Sequence, residues 1–224
     1  MPPRKSATSS TPVQAPQIKW DVLEDAGESA TLTNNSLFER VQLQHADMSA
    51  QTVDDVLFEQ VVCKHINFGQ STITLGQLID CQFHTCDFAN TTLEKCYVRR
   101  VEFSGCRMLG INLPQLDGQD VVWRDCNVEW GRFEDAALKS TRFERCLLRE
   151  ASFGNSDLSG AVLYNCDLTR ADFRGAKLAG TDLRGSTIDG IQISPYELQE
   201  VIVDSAQALQ LVSIFGLVVK DSDG

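Results

Sequence analysis

Hydrophobic residues recur at every fifth position along most of the chain. Counting in steps of five from Phe38 to Ile193 reaches 32 positions, and 31 of them carry Phe, Leu, Ile, Val, Met, Trp or Cys. The one exception is Gly118. A second set, two residues before each of these centres, consists mostly of small or β-branched residues. The other three positions of each repeat are mostly polar, which indicates that they face water.

A period of five matches neither the 3.6 residues of an α-helical turn nor the two-residue alternation of a strand. A chain that turns a corner every five residues and closes after four corners forms a square coil, and successive coils stack as parallel strands. The 32 repeats would make about eight coils of 20 residues. At ~4.8 Å per strand, the rod would be about 38 Å long. The pattern therefore predicts an all-β parallel β-helix with a packed interior.

Repeats such as Ala171-Asp-Phe-Arg-Gly and Thr181-Asp-Leu-Arg-Gly resemble those of the pentapeptide-repeat family. This resemblance implies a right-handed quadrilateral β-helix over residues 36–193. Within the family the chain looks similar to Qnr-type and MfpA-type proteins, and it is closer to MfpA because no loop interrupts its repeats. That similarity implies a non-enzymatic protein that imitates DNA, binds DNA gyrase or topoisomerase IV, and inhibits the enzyme or protects it from quinolones. The alternative is a protein-interaction scaffold with an unidentified partner.

The segments outside the repeats predict two caps and two tails. Residues 1–17, rich in Pro, Ser and Thr, read as a disordered tail, and residues 220–224 as an acidic tail. Residues 18–35 should cover the first coil with Trp20 and with Val22 or Leu23, because a bare terminal coil exposes apolar core and unpaired strand edges. In residues 194–219, a first helix should begin at Ser194-Pro-Tyr-Glu and a second near Asp204 or Ser205.

The second predicted helix runs to about Phe215 and stops at Gly216. The apolar residues of this cap are too many to face water entirely. The resemblance to Qnr and MfpA implies that such caps join two rods end to end, so we expect a homodimer. The candidate interface residues are Leu198, Val201, Ile202, Leu209, Leu211, Val212 and Phe215.

The charge of the chain is strongly negative, with a formal net charge of −11. On the rod, the excess of acids over bases is concentrated on two neighbouring sides, each with six acids and three bases. An acidic surface suits a partner built to bind phosphates, although any water-soluble solenoid also needs charged sides. The candidate contacts are Asp47, Asp87, Glu129, Glu150, Asp167 and Asp189 on one side, Asp54, Asp55, Glu94, Glu134, Asp135 and Asp172 on the next, and the corner residue Trp130.

Cysteine and histidine offer only weak signals of chemistry. Seven of the eight cysteines occupy the small inward position, and Cys63 replaces a centre, so we expect free thiols packed as small hydrophobic residues. Three histidines, His45, His65 and His84, fall on one side, with His45 and His65 stacked directly. Stacked imidazoles run parallel and do not converge on an ion, which favours a structural role over a metal site.

The sequence suggests no catalytic residues and no cofactor. It lacks a nucleophile–base pair, a phosphate-binding loop or zinc-ligand spacing. It also has no apolar run near the ~20 residues that span a bilayer and no hydrophobic segment typical of a secretory signal, so we expect a cytoplasmic protein that does not bind membranes. We also expect no direct binding of nucleic acid. One position departs from the pattern. At Gly118, either the large Leu116 two residues earlier fills the volume of the missing side chain, or the rod kinks.

Overall fold

The computed structural model describes residues 12–25 and 30–220. Residues 1–11 of the expected disordered tail and 221–224 of the expected acidic tail lie outside the described residues. The described part contains a short 3₁₀ helix, Trp20–Val22, one α-helix, α1, Ser205–Ile214, and the following strands: β1 Glu24–Asp25, β2 Leu37–Glu39, β3 Val41–Gln44, β4 Thr52–Asp54, β5 Leu57–Glu59, β6 Val62–Lys64, β7 Thr72–Thr74, β8 Gln77–His84, β9 Thr92–Glu94, β10 Tyr97–Ser104, β11 Asp117–Arg124, β12 Arg142–Glu144 and β13 Val162–Tyr164.

Neighbouring coils of the rod pair in parallel with an offset of 20 residues. In the middle of the rod, Tyr97 of β10 pairs with Gln77 of β8 below and Asp117 of β11 above. Isolated bridges continue the same offset beyond the strands, and seven successive bridges join eight rungs from Asp47 to Thr187. The predicted parallel β-helix of about eight coils is therefore confirmed.

The five-step centres fill the axis of the rod. Of the 32 centres, 31 are buried, and the remaining one, Phe38, is half-buried at the N-terminal end. Their rings stack from coil to coil: the centroids of Phe133 and Phe153 are 4.7 Å apart, and those of Phe153 and Phe173 are 5.0 Å apart. These distances match the spacing of neighbouring strands, so each ring packs on the same position one coil away. The inside of the rod is a packed core.

The corners of the coil place the second residue after almost every centre in the left-handed region. This holds at Gly160 (φ 74°) and Asn155 (φ 58°), where the residue type favours it, and equally at Leu75 (φ 58°) and Trp130 (φ 57°). Left-handed corners in this rod are therefore not limited to Gly and Asn. Parallel pairing with the coils above and below fixes the corner geometry and outweighs the local preference of the residue.

Gly118 does not break the rod. It is buried, pairs in register with Val98, and lies within β11, whose pairing with β10 keeps the offset of 20 residues from end to end. The large neighbour Leu116 is also buried. This continuity supports the compensated packing irregularity over the kink.

The C-terminal end of the solenoid lies beyond Ile193. The next two positions on the five-residue stride, Leu198 and Val203, pack against the core, and Ile202 still bridges to Asp182. The helix predicted from Ser194 is wrong, since residues 195–200 form turns. Its capping hydrogen bond does form, with the Ser194 amide donating to Glu197 Oε2 at 2.7 Å. The apolar stride nevertheless keeps the segment in the path of the coil.

The second predicted helix is present as α1. Asp204 is its N-cap, and the Gln207 amide donates to Asp204 Oδ1 at 3.0 Å. The Asp204 amide in turn donates to Gln207 Oε1 at 2.9 Å, which completes a capping box. Gly216, with φ at 75°, follows the last turn as expected.

The N-terminal segment differs from its prediction in two ways. Trp20 and Val22 do not cover the first coil, being 60% and 44% exposed. Leu32, buried in the core, and Ala30, packed against it, lie there instead, and β1 pairs with β3. Residues 12–17, expected to be disordered, form hydrogen bonds to the side of the rod.

Candidate interaction surface

Several carboxylates on the acidic sides stabilise the corners of the rod. Asp167, just before a centre, accepts a hydrogen bond from the backbone amide of Thr169, two residues on, at 3.1 Å. This contact ties the side chain to the corner that follows, as an Asx turn does. The same contact is formed by Asp47, Asp87 and Asp172, and by Asp157 and Asp182 on the other two sides. Four of the proposed partner contacts, Asp47, Asp87, Asp167 and Asp172, therefore have a structural role as well.

Basic residues neutralise half of the candidate acids. Arg149 Nε lies 2.6 Å from Asp167 Oδ2, which fixes an ion pair between adjacent coils. Burial opposes the ionisation of Asp167, but hydrogen bonds from Thr169 and Arg149 hold its pKa below the usual range. The other paired candidates are Asp87 with Arg107 at 2.7 Å, Asp172 with Arg174 at 2.5 Å, Glu94 with Lys95 at 3.3 Å, Glu150 with Arg170 at 3.6 Å, and Glu129 with Arg149 at 3.9 Å.

A smaller group of candidate acids forms no ion pair with the described residues. We call it the unpaired acidic set; its members are Asp47, Asp54, Asp55, Glu134, Asp135 and Asp189. Four of them lie on one side of the rod: Asp54 and Asp55 on one coil, and Glu134 and Asp135 four coils further along, or about 19 Å away. Asp189 accepts a hydrogen bond from the Gln210 side chain at 3.3 Å. Half of the candidate acids therefore keep a charge that no basic residue of the described chain neutralises.

The apolar candidates separate into core and surface. Trp130 is 54% exposed at its corner, as expected. Among the candidate dimer residues, Leu211 belongs to the rod's own core, Leu198 and Val201 are half-buried and pack against that core, and Ile202 and Val212 are half-buried. Leu209 and Phe215 are exposed, and so are four that the prediction left out: Ile214, Leu217, Val218 and Val219. The signal for the last three was the short apolar run after Gly216.

The histidines and cysteines lie where the pattern places them. The rings of His45 and His65 stack with centroids 5.1 Å apart, and His65 Nδ1 lies 3.0 Å from Thr85 Oγ1. No group of three or more His, Cys, Asp or Glu within residues 12–25 and 30–220 could hold a metal ion. All eight cysteines are buried free thiols, and burial raises the pKa of Cys81 and Cys96 to about 12.

One surface contact was missed by the sequence reasoning. Residues 12–18 run along a corner of the rod, where the amides of Gln14 and Gln17 donate to Asp120 and Asp80. The only signal for it was the Pro-rich composition, which equally favours disorder. Elsewhere, no helix within the described residues has the length and hydropathy to cross a membrane.

A parallel solenoid with two inward side chains per five residues defines a class of repeat proteins whose variable side chains lie on the outside. The chain belongs to the pentapeptide-repeat family. Residues 76–153 match the family model described as a pentapeptide repeat region, and residues 151–190 match the model described as pentapeptide repeats, 8 copies. No curated protein matches the sequence.

Solved structures of similar fold include proteins with different roles. A trypsin-treated form of QnrB1, a plasmid-mediated fluoroquinolone resistance protein, is 20% identical, with a TM-score of 0.46 over 85% of this chain and 97% of its own. HetL, a pentapeptide-repeat protein involved in heterocyst differentiation regulation in the cyanobacterium Nostoc sp., is 20% identical, with a TM-score of 0.44 over 80% of this chain and 86% of its own. At such identities the likeness concerns the fold alone.

Proposed function

We propose that this protein is not an enzyme and acts by binding another protein along the outside of the rod. The observation that carries the proposal is the filled interior, where 31 of 32 centres are buried. Catalytic sites need a concave pocket in which polar groups converge. Here the polar side chains stand outside in ladders, and many of them already bind a neighbouring corner or an arginine.

The partner that we propose is a type II topoisomerase, DNA gyrase or topoisomerase IV, with the rod in the place of DNA. The net charge of −11 and the unpaired acidic set support this choice, because a protein surface that binds phosphates attracts carboxylates. Binding would inhibit the enzyme or protect it from quinolones. The proposal implies a cytoplasmic location and requires no cofactor.

The second candidate is a scaffold for an unrelated protein. The observation that favours it is the neutralisation of Asp87, Asp167 and Asp172 by arginines at 2.5 to 2.7 Å. A surface of alternating charges gives a weaker field than a continuous acidic stripe. Such a surface suits a partner with its own mixed charges.

A gyrase supercoiling assay with and without a fluoroquinolone tests the topoisomerase proposal. We expect the protein to change supercoiling or drug-induced cleavage at micromolar concentration. Replacing Asp54, Asp55, Glu134 and Asp135 together by Ala should weaken the effect at least about tenfold, since each lost charge contact contributes a fraction of a kcal/mol or more.

A matched pair of single variants controls for charge loss alone. Asp135→Asn and Asp125→Asn each remove one carboxylate from an equivalent corner, but Asp125 is already paired with Arg145 at 2.7 Å. Only Asp135→Asn should weaken the effect. If the unmodified protein has no effect at micromolar concentration, the topoisomerase proposal is wrong, and a pull-down from the native host would identify the partner of a scaffold.

A further inference from the structure

A corner of the rod holds a ladder of three alternating charges, Asp80, Arg100 and Asp120, on successive coils. Arg100 Nε and one terminal nitrogen donate to the two oxygens of Asp80 at 2.6 and 2.5 Å. Both carboxylates are covered, with Asp80 5% and Asp120 4% exposed. We call this feature the corner ladder.

The N-terminal segment covers the corner ladder. The Gln14 amide donates to Asp120 Oδ1 at 3.1 Å, and the Gln17 amide donates to Asp80 Oδ1 at 2.9 Å. Val13, Pro16 and Ile18 are half-buried, which indicates that the segment also packs against the rod. We call residues 12–18 the strap.

Asp120 depends on the strap for its hydrogen bonding. Among the described residues, the Gln14 amide is the only hydrogen-bond donor to its side chain. A buried carboxylate without donors is costly, since it loses the hydration it has in water. The corner is therefore suited to a ligand that presents backbone N–H groups.

The repeat of the strap matches the repeat of the rod. Asp80 and Asp120 are two coils apart, or about 9.6 Å at the strand spacing. Gln17 lies three positions after Gln14, and one turn of a polyproline II helix is also three residues and about 9.3 Å long. A β-strand would point the amides of residues i and i+3 to opposite sides, whereas a threefold helix points them to the same side. Pro12 and Pro16 favour this extended conformation.

We propose that the corner ladder is a docking site for proline-rich, extended peptides, and that the strap is its own displaceable ligand. A proline-rich segment of a partner protein would bind in the same register, with one peptide turn per two coils, when the strap leaves. Its free amides would donate to Asp80 and Asp120, and its apolar side chains would replace Val13, Pro16 and Ile18. This proposal does not rest on the acidic sides or on a topoisomerase partner.

The test uses the full chain and a fluorescein-labelled synthetic peptide of residues 12–19. The double variant Gln14→Pro/Gln17→Pro removes both N–H donors but keeps an extended backbone, so it should release the strap without disturbing the rod. Fluorescence anisotropy should then show a peptide Kd at least about tenfold lower for this variant than for the unmodified chain, where the tethered strap competes at an effective concentration of about millimolar. Ala15→Pro adds a proline and keeps both donors, so it should behave like the unmodified chain.

A second set of variants locates the site. Combined with the double variant, Asp120→Ala keeps the Arg100–Asp80 pair and should still raise the peptide Kd at least about tenfold. Asp125→Ala, in the exposed Arg145 pair on another corner, should leave it unchanged. Thermal melting by circular dichroism checks that each variant folds.

Three results would overturn the proposal. The peptide could fail to bind both the unmodified chain and the double variant, it could bind the two with equal affinity, or its affinity could be unaffected by Asp120→Ala. A dimer of the unmodified chain that Gln14→Pro/Gln17→Pro dissociates would show that the strap binds a second copy, and it would contradict the placement within one chain.

Discussion

Single residues at the corners illustrate how the fold accepts unfavourable local geometry. A left-handed conformation costs an L-residue about 1–2 kcal/mol. The rod nevertheless places Leu75, Trp130 and many other side chains in it. Most corner amides donate to a carbonyl of the coil above; Trp130 N, for example, donates to Arg149 O at 3.0 Å. The stacked hydrogen bonds and the core on either side offset the cost.

Glycines at left-handed corners should therefore be measurably better than alanine. Gly160 has φ at 74°, and a methyl group added there would meet no heavy atom within 4 Å. Gly160→Ala should lower the free energy of unfolding by about 1 kcal/mol through backbone strain alone. Denaturation in urea would measure the change.

Gly154 is the matched control for this substitution. Its φ is not left-handed, and an added methyl group would meet Glu134 and Ser152 only at 3.9 Å. Gly154→Ala should leave stability unchanged or raise it slightly, because alanine reduces the freedom of the unfolded chain. Equal losses at both positions would contradict the strain argument.

The sequence predicts the inward residues well and the roles of the outward residues poorly. A centre such as Phe153 belongs to a regular stride, and only burial explains that stride. The role of an outward acid such as Asp167 depends on whether Thr169 and Arg149 reach it. Those contacts are set by the stacking of coils, so a count of acids per side overstated the free negative charge.

Among the elements, the two helices predicted near the C-terminus have similar capping residues, but only the second one forms. In both, the first amide donates to the side chain three residues on, from Ser194 to Glu197 and from Asp204 to Gln207. After Ser194, however, Leu198 and Val203 continue the five-residue stride and pack on the core. Burial along that stride is worth more than the ~1 kcal/mol of a helix cap. The local motif was visible in the sequence, but the competing continuation was overlooked.

Helix α1 closes the end of the solenoid through one side chain. Gln207 is 3% exposed, and its Nε2 donates to Leu183 O at 2.6 Å and to Ser186 O at 2.7 Å. Inside the rod, a carbonyl equivalent to Ser186 O accepts a backbone amide of the following coil, as Cys166 O does from Thr187 N at 2.9 Å. A carbonyl equivalent to Leu183 O accepts a side-chain hydroxyl or thiol, as Leu163 O does from Ser186 Oγ at 2.8 Å. At the last coil, Gln207 supplies the donors instead.

Removing this side chain should destabilise the C-terminal end. Gln207→Ala leaves Ser186 O without its donor and breaks the capping box, which should cost about 1–3 kcal/mol. Gln210→Ala, on the same helix but exposed, should cost less than about 0.5 kcal/mol. Thermal melting compares the two variants, and similar losses in both would contradict the capping role.

At the scale of the whole molecule, exposed apolar residues concentrate beyond the last coil. Leu209, Ile214, Phe215 and the run Leu217–Val219 are all at least 36% exposed. Clusters of this kind mark interaction sites more often than scattered apolar residues do. We infer that a second copy covers them, which is the end-to-end homodimer expected from the sequence.

Light scattering at micromolar concentration tests the homodimer. We expect a mass of twice the 24.8 kDa of the chain. Leu217→Asp combined with Val218→Asp should give a monomer, because burying two carboxylates in an apolar interface is costly. Leu75→Asp, at a residue 54% exposed on the side of the rod, should leave the mass unchanged. A single species of 24.8 kDa for the unmodified chain would rule out the dimer.

Because neighbouring coils are offset by 20 residues, a change in length by a whole coil and a change by a single repeat move the C-terminal helix differently. Gain or loss of one whole coil would translate the C-terminal helix by about 4.8 Å along the axis without turning it. Gain or loss of a single repeat would instead rotate that helix by about a quarter turn, onto the adjacent side. Related rods can therefore vary the distance between two binding surfaces independently of their relative orientation.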